Sequence, residues 1–202
     1  MKKIIFSVLM SFFFVINLSA EEYVVYVGEA FNYNDILKQM IANQFAIKYD
    51  DDKKIYYLYV NNALNKGWIH VSAENLIVLR NSLNKYLEWE KKAIANKVKI
   101  EKKIPNSDIE TSVTWNYGDD WFSADNLKIE FTFFSQTEKL HQFVISTNVV
   151  NAESNEYIDF KVDSLYLNKD QVEALLKGIS DVSIEKAKKE NEQKKKNEEL
   201  FN

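Results

Sequence analysis

The chain has 202 residues, with 26 Lys+Arg against 30 Asp+Glu, 46% apolar side chains, 14% aromatics, one Pro, four Gly and no Cys. That apolar content excludes a disordered acidic tail, and the scarcity of Gly and Pro excludes a fibrous or low-complexity chain. The absence of Cys removes thiol catalysis, Cys-ligated zinc and disulfide staples, so the fold must rest on its apolar core.

Residues 1–20 read as an export signal. Lys2 and Lys3 precede an apolar run from Ile4 to Ile16, and Ser19 and Ala20 supply small residues before Glu21. The run is shorter than the ~20 apolar residues that cross a bilayer. Cleavage after Ala20 is expected, which places the mature chain in a periplasm or outside the cell with no membrane span. Without the two leader lysines, 24 basic face 30 acidic side chains. Arg80 is the only arginine, so the chain is poor in guanidinium forks for bidentate phosphate recognition.

Strand patterns follow at 23–28, 55–60, 68–71, 111–117, 127–134, 143–150 and 157–167, where β-branched and aromatic residues concentrate. The clearest is 127–134: Leu127, Ile129, Phe131 and Phe133 alternate with Lys128, Glu130 and Thr132, as on a half-buried sheet. In 157–167 the apolar phase changes between Val162 and Leu165, which predicts a bulge near Asp163 and Ser164. Between 34 and 47, Ile36, Leu37, Met40, Ile41 and Phe45 have helical spacing, although QFAIKY also suits a strand. The reading taken is a short helix ending near Asn43, then a strand to Tyr49.

Two helices stand out. Ser72 caps one over about 73–98, with Leu76, Leu79, Leu83, Leu87, Ile94 and Val98 as its stripe. Asn168 and Gln171 form a capping box for another that carries Val172, Leu175, Leu176 and Ile179. Residues 184–202 are lysine- and glutamate-rich with almost no apolar face before Leu200 and Phe201, and read as a polar helix or tail.

The segments WIHVSAENLIVLRNSL and SLYLNKDQVEALLKGI share a strand, a polar cap and matched apolar positions, which suggests duplication about the only proline, Pro105. The expected division is a signal peptide at 1–20, β-rich halves at 21–104 and 105–182, each ending in a helix, and a charged tail at 183–202. The expected class is α+β, with antiparallel sheets carrying helices on one face in two ββββα halves. That arrangement resembles the whirly and PUR-repeat group, whose curved sheets bind single-stranded nucleic acid. The resemblance is one of topology; no motif of those families is present, so no residue inherits that role. An acidic, arginine-poor, exported chain also lacks the basic groove such binding uses, and no nucleic-acid partner is expected.

Candidate chemistry is sparse. His70 and His141 are the only histidines and stand outside any ligand-pair spacing, so each reads as a structural or surface imidazole. Asp50, Asp51 and Asp52 lack the alternation and closing glutamate of a calcium loop and read as a hairpin turn. No glycine-rich phosphate loop or nucleophile elbow is present, and neither a catalytic residue, a metal nor a cofactor is expected. The most unusual segment is WNYGDDWFSAD, where Trp115, Tyr117, Trp121 and Phe122 lie within eight residues beside Asp119, Asp120 and Asp125. Two exposed rings there would make a ligand platform; buried rings would only close the core. The functional expectation is a non-catalytic exported protein binding an envelope protein or peptide, with glycan binding at Trp115, Tyr117 and Trp121 as the alternative.

Overall fold

The computed structural model describes residues 22–34, 37–62 and 65–201. The expected leader at 1–20 therefore lies outside the described residues.

Two long strands start the fold, β1 (Glu22–Asn34) and β2 (Gln39–Asp50), paired along almost their whole length. The helix expected near 34–43 is replaced by the start of β2. Pairing decides it: Tyr33 faces Met40 and Phe31 faces Ala42 across the hairpin. The helical stripe would have found little to bury it, since Leu37 is 59% exposed even in the folded chain. β3 (Ile55–Asn62) and β4 (Asn65–Val71) continue the antiparallel sheet, and α1 (Ala73–Asn96) follows behind its Ser72 cap.

After α1 come β5 (Glu101–Lys103), β6 (Ile109–Tyr117), β7 (Asp120–Ser135) and β8 (His141–Thr147). A small hairpin of β9 (Val150–Ala152) and β10 (Asn155–Phe160) precedes β11 (Leu165–Leu167), α2 (Lys169–Gly178) and α3 (Asp181–Glu199). The phase change expected near Asp163 and Ser164 is thus a break between two strands. The polar C-terminal stretch is helical, held by Ser180 as cap, with Ile184 its one buried residue.

The main sheet closes on itself. Its order β1-β2-β3-β4-β6-β7-β8-β11 returns to β1, every pair being antiparallel, so eight strands make a closed barrel to which β5 adds alongside β7. This corrects the expectation of an α+β sheet with helices on one face in two ββββα halves. The ring is one continuous sheet of two four-strand blocks, β1 to β4 from the first part of the chain and β6, β7, β8 and β11 from the second, joined where β4 meets β6 and where β1 meets β11, so neither part forms a sheet of its own. The physical cause is the apolar inner face continued on strand after strand. Together with bulges at Val24/Tyr26 and Thr111/Val113, which raise local twist, it favours closure and removes exposed edges.

Inside, Phe45, Ile47, Leu58, Ile69, Val113, Leu127, Phe131 and Phe143 form one core with the buried stripe of α1. That helix touches β3 and β4 on one arc of the ring and β7 and β8 on another. Tyr86 packs on Phe133 and Phe143 and donates to the His141 carbonyl at 2.8 Å. Burial raises the Tyr86 pKa, which keeps the phenol a donor. From the small hairpin, the Phe160 ring lies 5.3 Å from that of Trp115 and fills the space a side chain on Gly67 would need.

Candidate functional site

Strand alternation sorts the aromatic residues into two sets. On β3, β4 and β6 the inward series Leu58, Val60, Ile69, Val113 and Trp115 is buried, so the alternate residues look outward. One outward row runs Ala46, Tyr59, Trp68, Thr114, Ser123 across five strands. A flanking row runs Lys48, Tyr57, His70, with Ser112 beside the imidazole. On the other side Asn116 faces Trp121. The outward face of β3, β4, β6 and β7 thus carries Tyr57, Tyr59, Trp68, His70 and Trp121, of which Trp121 is exposed, Tyr59, Trp68 and His70 are half-buried and Tyr57 is buried among its neighbours.

The expected platform residues separate accordingly. Trp115 is fully buried and packs with tilted rings against Phe122 and Phe160, so it closes the core and offers no ring to a ligand. Phe122 packs against the core with it. Tyr117 and Trp121 are 54% and 58% exposed at the tip of the β6–β7 hairpin. That tip is a two-residue turn in which Gly118 takes φ +63°, the conformation that lets the strands meet without splaying. The hairpin therefore holds Trp121 on a paired strand.

Sequence reasoning had passed over Tyr57, Tyr59 and Trp68. The signal was present: in IYYLYV and WIH the non-core positions are aromatic, and a barrel wall has no use for such rings on its solvent side. There they pack on one another. Tyr59 and Trp68 have ring centroids 4.7 Å apart, Tyr57 meets Trp68 edge-on at 6.2 Å, and Tyr57 meets His70 at 5.1 Å. Lys48 Nζ sits 4.4 Å from the Trp68 ring, a cation–π contact.

His70 is half-buried, with Nδ1 2.6 Å from Ser112 Oγ and Nε2 3.5 Å from Thr114 Oγ1. Burial lowers its pKa, the Lys53 ammonium lowers it further, and Asp125 opposes both, so the imidazole is neutral near pH 7. Among the described residues no carboxylate hydrogen-bonds either ring nitrogen, so the Ser112–His70 pair has no acid to orient it. His141 is buried; its Nδ1 meets Ser135 Oγ at 2.7 Å and its ring stacks on Phe133.

The Asp50–Asp52 turn is a structural device. Asp50 Oδ1 accepts from the amides of Asp52 and Lys53, and the Lys53 ammonium lies 3.2 Å from Oδ2. Burial pushes the Asp50 pKa up, but these amides and the ammonium outweigh it and hold the carboxyl below its usual range. Asp51 ties the turn to α3 through Lys188 at 3.5 Å. Among the described residues no group of three His, Cys, Asp or Glu side chains could hold a metal ion, and no helix is long and apolar enough to cross a membrane.

No protein family matches the chain, and neither a curated protein nor a solved structure is similar to it.

Proposed function

We propose that the protein is a non-catalytic binding module of the cell envelope, exported by its leader, that holds a protein or peptide partner on the outer wall of β3, β4, β6 and β7. One observation carries this reading: Tyr59, Trp68 and Trp121 lie on the outward face of a closed barrel, half-buried or exposed, with Tyr57 buried beside them against Trp68 and His70. Clustered tyrosine and tryptophan are the composition of interface hot spots. Two strand steps and two residues separate Trp68 from Trp121, about 12 Å between Cα atoms. That span suits a peptide segment lying across the strands.

A glycan is the second reading, favoured by the polar side chains between the two tryptophans. Thr114 and Asn116 on β6 and Ser123 on β7 lie on the same outward face as both rings. Sugars stack on aromatic faces and bond to such hydroxyl and amide groups.

A photo-crosslinking residue placed at Ser123 in the mature chain, with a second placed at Val27 on β1 as control, tests the site in envelope extract. The expected result is one partner captured from Ser123, absent from Val27, and lost in Trp68→Ala/Trp121→Ala with unchanged circular dichroism. Equal capture from both positions, or capture unaffected by the double variant, overturns the assignment. Release of the captured species by soluble glycan fragments would select the second reading.

A further inference from the structure

A separate groove of about 440 Å³ lies between the C-terminal turns of α1 and the segment that leads into β5. Its making is local. Lys97 ends α1 in the left-handed region at φ +51°, and the Val98 amide bonds back to the Ala93 carbonyl at 3.1 Å. The chain then runs extended, pinned to the end of β7 by the Ser135 amide on the Ile100 carbonyl at 2.9 Å. Ala93, Val98, Ile100 and Phe133 wall the space, and Val98 and Ile100 remain 43% and 44% exposed. Apolar walls fixed by backbone bonds make a groove that exists before any ligand arrives.

The rim is basic on an acidic protein. Lys92 and Lys102 line the groove beside Trp89. The Trp89 ring has Lys85 at 5.8 Å and Lys102 at 5.3 Å from its centroid, and it meets Phe133 edge-on. Glu88 takes both Lys85 and Lys92, at 2.8 and 2.5 Å, and those ammonium groups hold its pKa down at about 2. Glu88 is thus shared by two lysines, and the groove itself is lined by Lys92 and Lys102 with no acidic side chain, while the whole chain carries a net charge of −4.

We propose that this groove binds a single anionic amphiphile of the fatty-acid class, its alkyl chain along Val98, Ile100 and Phe133 and its carboxylate between Lys92 and Lys102. A volume of this size lies in the range of small-molecule sites, and apolar walls with a few placed charges are their usual chemistry. Charge complementarity selects the anionic head: Lys92 shares its carboxylate Glu88 with Lys85, Lys102 lies over the Trp89 ring, and a cationic head would be repelled by both rim lysines. The groove is built from residues of α1, the segment 97–100, β5 and β7 that take no part in the aromatic face.

The test is calorimetric titration of the purified mature chain with dodecanoate below its micellar range, beside dodecyltrimethylammonium. The expected result is saturable one-to-one binding of dodecanoate, at least tenfold tighter than the cation. Lys92→Glu/Lys102→Glu should weaken dodecanoate tenfold or more and improve the cation. Ile100→Asn should weaken both ligands, with Val98→Asn on the same wall as the second variant should Ile100→Asn fail to fold. Non-saturable uptake, equal affinity for the two head groups, or dodecanoate affinity unchanged by the charge reversal overturns the proposal. A saturable response abolished only by Trp68→Ala/Trp121→Ala would move the ligand to the aromatic face and overturn it too.

Discussion

At the scale of single residues, the two tryptophans of one segment show how much strand phase decides. Trp115 and Trp121 are six positions apart, and a count of aromatics treats them alike; a two-residue turn between them sends one inward and leaves the other outward. That distinction was not legible before the position of the turn was known. Gly67 makes the complementary case. A Cβ there would stand 2.4 Å from the Phe160 ring, which the core around Trp115 holds in place. Gly67→Ala should therefore destabilise the protein by about 1–3 kcal/mol, the usual penalty for forcing atoms into a packed core. Denaturant unfolding measures it, and Phe160→Leu in the same chain should recover part of the loss. His70 gives a pH prediction. Its folded pKa lies below the ordinary value of about 6.5, so as pH falls through that value the unfolded chain takes up more protons. Stability should decline from neutrality towards the lowered folded pKa and then level, and His70→Gln should flatten the profile; a wild-type midpoint independent of pH between 7.5 and 5.5 would contradict the assignment.

At the scale of elements, local signals served helices better than strands. Asn168 and Gln171 exchange side-chain and backbone bonds at 2.8 and 3.0 Å as the capping box requires, because a cap is written within four residues. Asn168→Ala should cost about 1 kcal/mol, read from thermal unfolding. β2 opens as a strand because its partner on β1 outweighs a helical spacing that has no core to meet. α3 is a different kind of element. Ile184 is its one buried residue, and its attachment runs through Asp181 on Arg80 at 2.7 Å and Lys188 on Asp51 at 3.5 Å. Arg80 also donates Nε to the Ile179 carbonyl at 2.8 Å, so the single arginine fixes the α2–α3 junction. Amides of α3 should exchange with deuterium well before those of α1, and Arg80→Ala should speed them further while leaving the barrel strands protected.

At the scale of the whole molecule, the alternation within β7 was legible, and so was the abundance of strands, but closure was not. A local pattern gives the faces of each strand; it does not say which distant strand lies beside it, and here β1 meets β11 across more than 130 residues. That seam is thin. Phe31 opposite Tyr166 is the one residue pair that joins the two strands, and Asn32 reinforces it by donating to the carbonyls of Asp163 at 3.1 Å and Ser164 at 3.3 Å. The Asn43 amide holds the Asn32 oxygen at 2.9 Å, which aims the other end of the side chain across the seam. Each such bond contributes roughly 1 kcal/mol, so Asn32→Ala should cost about 2–3 kcal/mol. The loss should be uneven. Hydrogen exchange should rise first in β11 and in the facing part of β1, while β2, β3, β4 and β6, held by ladders on both sides, keep their protection. Loss spread evenly over all strands would show that the ring opens only by global unfolding, and that the seam is no weaker than the rest of the wall.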